Sequence, residues 1–442
     1  MQPAIAADYE TLERSVPRKV FWRIIPFCFA LYVISYIDRA NIGYAALQMN
    51  AELALSSQAF GFAAGVFFIG YFLFEVPSNM ALLRFGPRKW IARILLSWGV
   101  VSILTAFVQS AMQLYVLRFL LGVAEAGFFP GIILYLTLWF RTKEQATVIA
   151  LFTAAIPVSY ILGGPLSTLI MEHIRWFGFS GWRWMLFLEG LPAILGGVAT
   201  YWLLTDRPDQ ARWLKPAERD WLAAEMAREH APAAGRRTLG TLAAITHPKV
   251  LYLALVYFAY QCGSLGVGYW LPQIVRGLSS EASTFEIGLI STFPYVVATI
   301  GMVLWSRHSD QKGERFLHTA LPLLAASLAL GAIGLATNTV FAVGLVTVAL
   351  TGLYAFKAPF WALPGLFLSR GTAAIAIAAI NSIGNLGGFA GPYLIGVIKD
   401  ATGSAMAGLI FLAILTFVAF VMIWFEWLGS DARTQGEWTQ GE

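Results

Sequence analysis

The chain has 442 residues, of which 58% are hydrophobic and only 12% charged, about half the charge of an ordinary soluble protein. A mean hydropathy of +0.67 with 32 Phe and 16 Trp excludes a soluble enzyme, a disordered chain and a fibrous repeat. No polar tract is long enough to build a large extramembrane domain, so what remains is a chain made mostly of membrane-spanning helices.

A spanning helix with its turn takes roughly 30–35 residues, which allows about twelve or thirteen spans. In chain order, apolar segments fall near 21–43, 57–80, 89–109, 112–135, 145–169 and 185–204. A polar stretch from about 205 to 247 follows, and then six more segments near 251–275, 286–306, 316–336, 339–362, 372–397 and 404–428. The expected fold class is therefore an all-α membrane protein with twelve transmembrane helices in two pseudo-symmetric six-helix bundles. Residues 1–204 form the first bundle, 205–247 a cytoplasmic connector, and 248–442 the second bundle with a short tail. The first twenty residues are polar and carry acids, unlike a cleavable signal peptide. Cys28 and Cys262 each sit inside an apolar run and read as small core residues, so no disulfide framework is implied.

In the connector, Trp213, Leu214, Trp221 and Leu222 recur among charges at helical spacing, which reads as a short amphipathic helix lying along the membrane surface. Lys and Arg are crowded into one set of loops: Arg14, Arg18, Lys19 and Arg23; Arg84, Arg88, Lys89 and Arg93; Arg141 and Lys143; the connector; Arg307, Lys312 and Arg315; Arg370 and Arg433. The opposite loops hold only Arg175, Arg183, Arg276 and Lys399. This asymmetry places both termini in the cytoplasm and makes the basic pI of about 9.1 a topology signal. It does not argue for nucleic-acid binding.

The halves echo each other. A short basic turn with a Gly follows the second segment of each, RFGPRK and DQKGER, and the fourth segments carry Glu125 with Pro130 and Lys357 with Pro359. A repeat of six plus six suits a transporter with a central site between its halves.

Five charges lie where none should be. A charge at the membrane centre costs at least ~2.5–3.5 kcal/mol on insertion scales. Asp38 and Arg39 lie in the first segment, Arg118 and Glu125 in the fourth, and Lys357 in the tenth. By depth they share one slab, which fits a common internal cavity. Arg118 and Glu125, seven apart, share a helix face about 10.5 Å apart along the axis; they can pair with each other or with a group on another helix, such as Asp38. An acid beside a permanent Arg is a proton switch: ionised it neutralises the Arg, and protonated it releases the Arg for an anion. The planar fork of Arg suits a carboxylate. Each charge also has a purely structural reading, as an interhelical ion pair or, for Lys357, as an ammonium reaching a helix end. Glu75 and Glu189 read as structural acids with partners near the interface. Neutral candidates at similar depth are Tyr36, Tyr71, Gln261, Trp361 and Asn381, which could equally be core fillers. The five His have no metal-ligand spacing and no GxxxxGK[ST] loop is present, so neither a metal, a cofactor nor ATP hydrolysis is expected.

The stretches YIDRANIGYAAL, FFIGYFLFEVPSNMALLRFGPRKWIARI, RFLLGVAEAGFFPGIILYLTLWF, GWRWMLFLEGLPA, DRPDQARWLKPAERDWL, SRHSDQKGERFLH and AAINSIGNLGGFAGPYLIG span nearly the whole chain. Together they resemble the anion:cation symporter family of the major facilitator superfamily, closest to its tartrate-transporter and phthalate-permease branch. The resemblance implies alternating access and proton-driven uptake of a small organic anion across a bacterial inner membrane by a single chain. It implies Asp38 and Glu125 as proton carriers, Arg39 as the carboxylate ligand and Arg118 as the partner of Glu125. It implies Tyr36, Tyr71, Trp361 and Asn381 as site-lining residues. The gating loops map onto Arg84 and Arg88, and onto Asp310 and Arg315, although the first loop has Asn79 where the family usually carries an Asp. Lys357 adds a second cation from the other bundle, so a dicarboxylate such as phthalate or tartrate is the expected substrate. A sugar-acid or monocarboxylate symporter, an exchanger or facilitator, a multidrug exporter and a non-transporting sensor remain open alternatives. A membrane enzyme is not expected.

Overall fold

The computed structural model describes residues 2–229, 245–279, 281–336, 338–367 and 370–439. Among them every regular element is a helix. In the N-terminal half these are α1 (Gln2–Glu52), α2 (Ser57–Phe85), α3 (Pro87–Thr105), α4 (Ala111–Glu125), α5 (Phe128–Thr137), α6 (Thr142–Thr153), α7 (Ala155–His173) and α8 (Gly181–Leu203). The connector contributes α9 (Pro216–Glu229). The C-terminal half holds α10 (Pro248–Leu278), α11 (Thr284–Lys312), α12 (Phe316–Ala332), α13 (Thr339–Ala362), α14 (Pro364–Phe367), α15 (Arg370–Asn385), α16 (Gly387–Thr402) and α17 (Ala405–Thr439).

Among the described residues, ten helical stretches are long and apolar enough to cross a membrane. Backbone groups have no water partner in lipid, so a helix, which satisfies them internally, is the natural form for such runs. Two further expected spans fall short for visible reasons. α3 carries Arg88, Lys89 and Arg93 in 19 residues, and the stretch 370–402 is divided at Leu386 into two helices of 16 residues. The interruptions recur in register. The fourth stretch of each half is broken, between α4 and α5 and between α13 and α14, and so is the fifth, between α6 and α7 and between α15 and α16.

Within each half the packing is also repeated: α3 lies on α8 and α2 on α4, as α12 lies on α17 and α11 on α13. Between the halves, α2 packs on α16 and α7 on α11. These contacts are backbone-close. A Cβ added to Gly61 would stand 2.4 Å from the Pro392 carbonyl, and one on Gly288 would stand 2.0 Å from Thr168 Oγ1.

The same end of the molecule carries two carboxylate caps that cross between halves. Asp400, at the end of α16, accepts from the backbone N–H of Ser57 (3.0 Å) and Gln58 (2.7 Å), the first residues of α2. Glu172, at the end of α7, accepts from the backbone N–H of Phe285 (2.6 Å), in the first turn of α11. A carboxylate is favoured at a helix N-terminus by the exposed N–H groups and the helix dipole. The two caps are counterparts under the internal repeat. They join the halves at this end, which bears the 53–56, 281–283 and 403–404 turns.

The connector departs from expectation. Most of its apolar face is buried against protein. Leu214, Trp221, Leu222 and Met226 are all buried. Trp213 stacks on Trp139 at 5.8 Å, Arg141 lies 5.4 Å over the Trp221 ring, and Lys19 donates to Glu218. The remaining part of the connector, 230–244, lies outside the described residues.

Candidate functional site

α1 supplies the first cluster. Successive helix residues point about 100° apart, so Asp38 and Arg39, though adjacent, face different neighbours and do not pair. Arg39 Nε donates to Glu125 Oε1 at 2.9 Å, and its Nη2 lies 2.8 Å from the same oxygen without a directed hydrogen bond. Ser35, one turn earlier on α1, donates its hydroxyl to that oxygen at 2.5 Å. Glu125 Oε2 is buried and, among the described residues, has no hydrogen-bond partner. The guanidinium is walled by rings: Tyr36 and Tyr71 at 5.1 Å and Phe67 at 5.3 Å. Aromatic faces attract a cation most when water is excluded.

This pairing corrects the expectation for Arg118. Glu125 is ion-paired with Arg39, while Arg118 lies 5.3 Å from the Phe67 ring and forms no ion pair with Glu125. Arg118 donates to the carbonyls of Ala63 (3.3 Å) and Ala64 (3.5 Å) on α2. The local cause is the end of α4. Glu125 is its last residue, and Gly127 turns the chain with φ +84°. No other residue fits there, since a Cβ would meet Ser78 Oγ at 2.4 Å and the left-handed backbone disfavours any side chain.

Asp38 is 2% exposed and fully engaged: Trp98 Nε1 donates to it at 2.5 Å, Ser102 Oγ at 3.2 Å and Asn41 Nδ2 at 3.3 Å. Asn41 Nδ2 also donates to Glu189 at 3.1 Å, and Ser167 Oγ donates to Glu189 at 2.7 Å. Glu189 is thus a buried member of the Asp38 network, not an acid with interfacial partners. Neither acid has a cation within ion-pair distance among the described residues. Glu75 is likewise buried, and it accepts from Ser382 of the opposite half at 3.0 Å.

In the C-terminal half, Lys357 Nζ stands 5.3 Å over the Tyr354 ring and is half-buried, with no carboxylate partner among the described residues. A row of rings joins it to Arg39. Tyr36 meets Tyr160 edge-on at 6.2 Å, Tyr160 stacks on Tyr295 at 4.4 Å, and Tyr295 meets Tyr354 at 6.0 Å. The Tyr160–Tyr295 step crosses between halves. Trp361 packs edge-on against Tyr257 at 4.9 Å, and Gln261 is held by Asn385 at 2.9 Å. Asn381 is half-exposed on α15.

The four loop residues do not act alike. Arg88 donates its backbone N–H to Asp206 at 2.8 Å, with its Nε 3.9 Å from the same carboxylate. Asp206, just after α8, therefore supplies the acid that the first loop lacks. Arg315 bonds Asp310 at 2.6 Å within the second loop. Arg84 is exposed and lies 5.6 Å over its neighbour Phe85, without a carboxylate among the described residues.

Sequence reading missed Ser35, Phe67, Asn41, Tyr160, Tyr295 and Asp206. Three of these carried a signal: Ser35 is four residues before Arg39, Asn41 three after Asp38, and Phe67 four before Tyr71, so each shares a helix face with a residue already singled out.

Helices of this length, in two repeated halves, with an ion pair and further carboxyl groups buried among them, define a multi-pass membrane carrier. The chain belongs to the Major Facilitator Superfamily, whose family model matches residues 28–392. Its fold and family are those of transporters, not enzymes. It is 48% identical over 411 residues to a candidate tartrate transporter of Agrobacterium vitis, covering 93% of this chain and 91% of that one. It is 38% identical to a quinolone resistance transporter of Acinetobacter baumannii (93% and 94% covered) and 35% identical to the inner membrane transport protein RhmT of Escherichia coli (92% and 94%). Among solved structures, a D-xylose–proton symporter superposes with a TM-score of 0.75 at 15% identity, covering 91% of this chain and 97% of that one. An inward-facing bacterial homologue of the human lysosomal transporter Spinster gives 0.73 at 16% identity, with 93% and 95% covered. These two likenesses concern the fold alone.

Proposed function

We propose that this chain is a proton-coupled importer of a small organic carboxylate, working by alternating access in a bacterial inner membrane. It acts as a single chain of twelve spans, with residues 1–204 and 248–442 as the two bundles, 205–247 joining them, and both termini in the cytoplasm. The capped end then faces outward and the loops rich in Lys and Arg face inward.

One observation carries the reading. Glu125 engages Arg39 through a single oxygen, leaving Glu125 Oε2 without a hydrogen bond and Arg39 Nη2 without a directed one. A proton arriving at Oε2 removes the carboxylate charge and frees the guanidinium. A substrate carboxylate then takes the fork in its place, within the ring cage of Tyr36, Phe67 and Tyr71. Departure of the substrate restores the internal pair and returns the proton. Substrate and proton thus ride together because each can replace what the other removes. Asp38 holds a second proton in its network of neutral donors, and Arg118 braces α4 against α2. The Glu75–Ser382 bond links the halves on the other side of the site.

Lys357, a second cation from the opposite half, favours a dicarboxylate, with Trp361, Gln261 and Asn381 shaping the far wall. The 48% relative named for tartrate points to the same class. Lys357→Ala should lose dicarboxylates preferentially; equal loss of monocarboxylates would count against this role. The 38% relative named for quinolone resistance favours export as a second reading.

The test is uptake of tartrate and of phthalate into proteoliposomes with an alkaline interior, with Asp38→Asn in parallel. Accumulation against the gradient, lost in the variant, supports proton symport. Equilibration without accumulation, unchanged by the variant, means a facilitator or exchanger. Gradient-driven efflux would favour the exporter.

A further inference from the structure

The cytoplasmic-loop cations expected from topology alone converge on one cleft. Its volume is about 870 Å³, and it is lined by the first described turns of α1 and by Trp213 of the connector. Arg14, Arg18, Lys19, Trp22 and Arg23 recur three and four residues apart, so one helical face bears them all. The neighbouring acids are already engaged. Glu13 holds Arg141 (3.0 Å) and Lys143 (2.8 Å), and Glu218 holds Lys19. Arg14, Arg18 and Arg23 form no ion pair among the described residues. Three guanidinium groups without an ion-pair partner among the described residues therefore face one opening.

The surroundings say what fills it. Trp22 is 66% exposed beside the cations, and Trp213 is fixed by its stack on Trp139. Indole rings beside basic residues are the usual furniture of the membrane–water boundary. Further along the same face of α1, Pro26 and Ala30 are exposed and Val33 is part-exposed, so the charged cleft runs into an apolar stripe. A free phosphate would use only the cations, whereas a phospholipid would use both ends: headgroup phosphate on the arginine forks and acyl chain along the stripe.

We propose that this cleft is a binding site for an anionic phospholipid, independent of what the carrier transports. Bound there, the lipid ties the start of α1 to the connector through Trp213.

The test uses the full chain, purified in detergent and titrated with phosphatidylglycerol, phosphatidylcholine or sodium phosphate under native mass spectrometry. R14Q/R18Q/R23Q is compared with a charge-matched control, R175Q/R307Q/K312Q, and circular dichroism verifies the fold of both. The expected result is retained phosphatidylglycerol in the parent and the control, weakened about 100-fold in the cleft variant, as three near-surface cations would give. Phosphatidylcholine should bind weakly and equally to all three. Equal phosphatidylglycerol affinity in the cleft variant and the control overturns the proposal. So does displacement of the lipid by millimolar phosphate, which would make the cleft a free-anion site.

Discussion

Asp400→Ala combined with Glu172→Ala should open the capped end. Each carboxylate crosses from one half to the first turn of a helix in the other, and each receiving helix keeps a cap of its own. Ser56 accepts from Ala59 (3.1 Å) on α2, and Ser283 with Glu286 forms a capping box on α11. The variants therefore remove the two carboxylate links between halves and spare the helices. Loss of a cap costs roughly 0.5–2 kcal/mol. The Asp400 bonds are exposed and the Glu172 bond is part-buried, so about 1 kcal/mol each is the fitting choice. Together, about 2 kcal/mol shifts the ratio of open to closed populations roughly 30-fold. The two native cysteines are buried, so spin labels at Ala51→Cys and Ala401→Cys should report this end with little background. Pulsed electron–electron distances should show one short population in the parent and a prominent longer one in the double variant, with the single variants between. An unchanged distribution would mean that the packing at Gly61 and Gly288 and the Gln58–Tyr393 bond hold this end without the caps.

Two further outcomes follow from local geometry. Gly127→Ala forces a side chain into a left-handed turn against Ser78 Oγ, at a cost of about 1–3 kcal/mol; melting in detergent should fall, and Arg39 should lose its partner as Glu125 shifts. At the connector, the hydrogen bond from Lys19 holds the Glu218 carboxyl below its usual range. A depressed folded value stabilises above the ordinary carboxylate pKa and ceases to do so as pH falls through the folded value. Hydrogen exchange over 216–229, corrected for intrinsic rates, should thus be the same at pH 7 and 6 and rise only below about pH 4. Because Lys19 is half-exposed, Glu218→Gln at pH 7 should raise it only slightly.

The helices were legible because an apolar run of spanning length has few other forms to take. The burial of Asp38, Arg118 and Glu125 was legible from their place in those runs. Their partners were not, because spacing along one helix leaves its rotation against the others open. Arg118 and Glu125 share a face by count, yet Glu125 pairs with Arg39 on α1 while Arg118 bonds the carbonyls of Ala63 and Ala64 on α2. The Trp-bearing face of the connector reads the same whether lipid or protein covers it, and here protein covers most of it. Asp206 and Asp400 act through contacts more than a hundred residues away in sequence, beyond the reach of any local pattern.

The exchange at Arg39 is the centre of the account, and one comparison addresses it most directly. Tartrate accumulation and tartrate counterflow should be measured in proteoliposomes for the parent and for Glu125→Gln. The parent should accumulate tartrate when the interior is alkaline. The variant, whose neutral amide leaves the guanidinium free at every pH, should still exchange tartrate in counterflow at a rate nearly independent of pH, and should accumulate none. Accumulation preserved in the variant, with the pH dependence of the parent, would remove Glu125 from coupling and contradict the competition for Arg39.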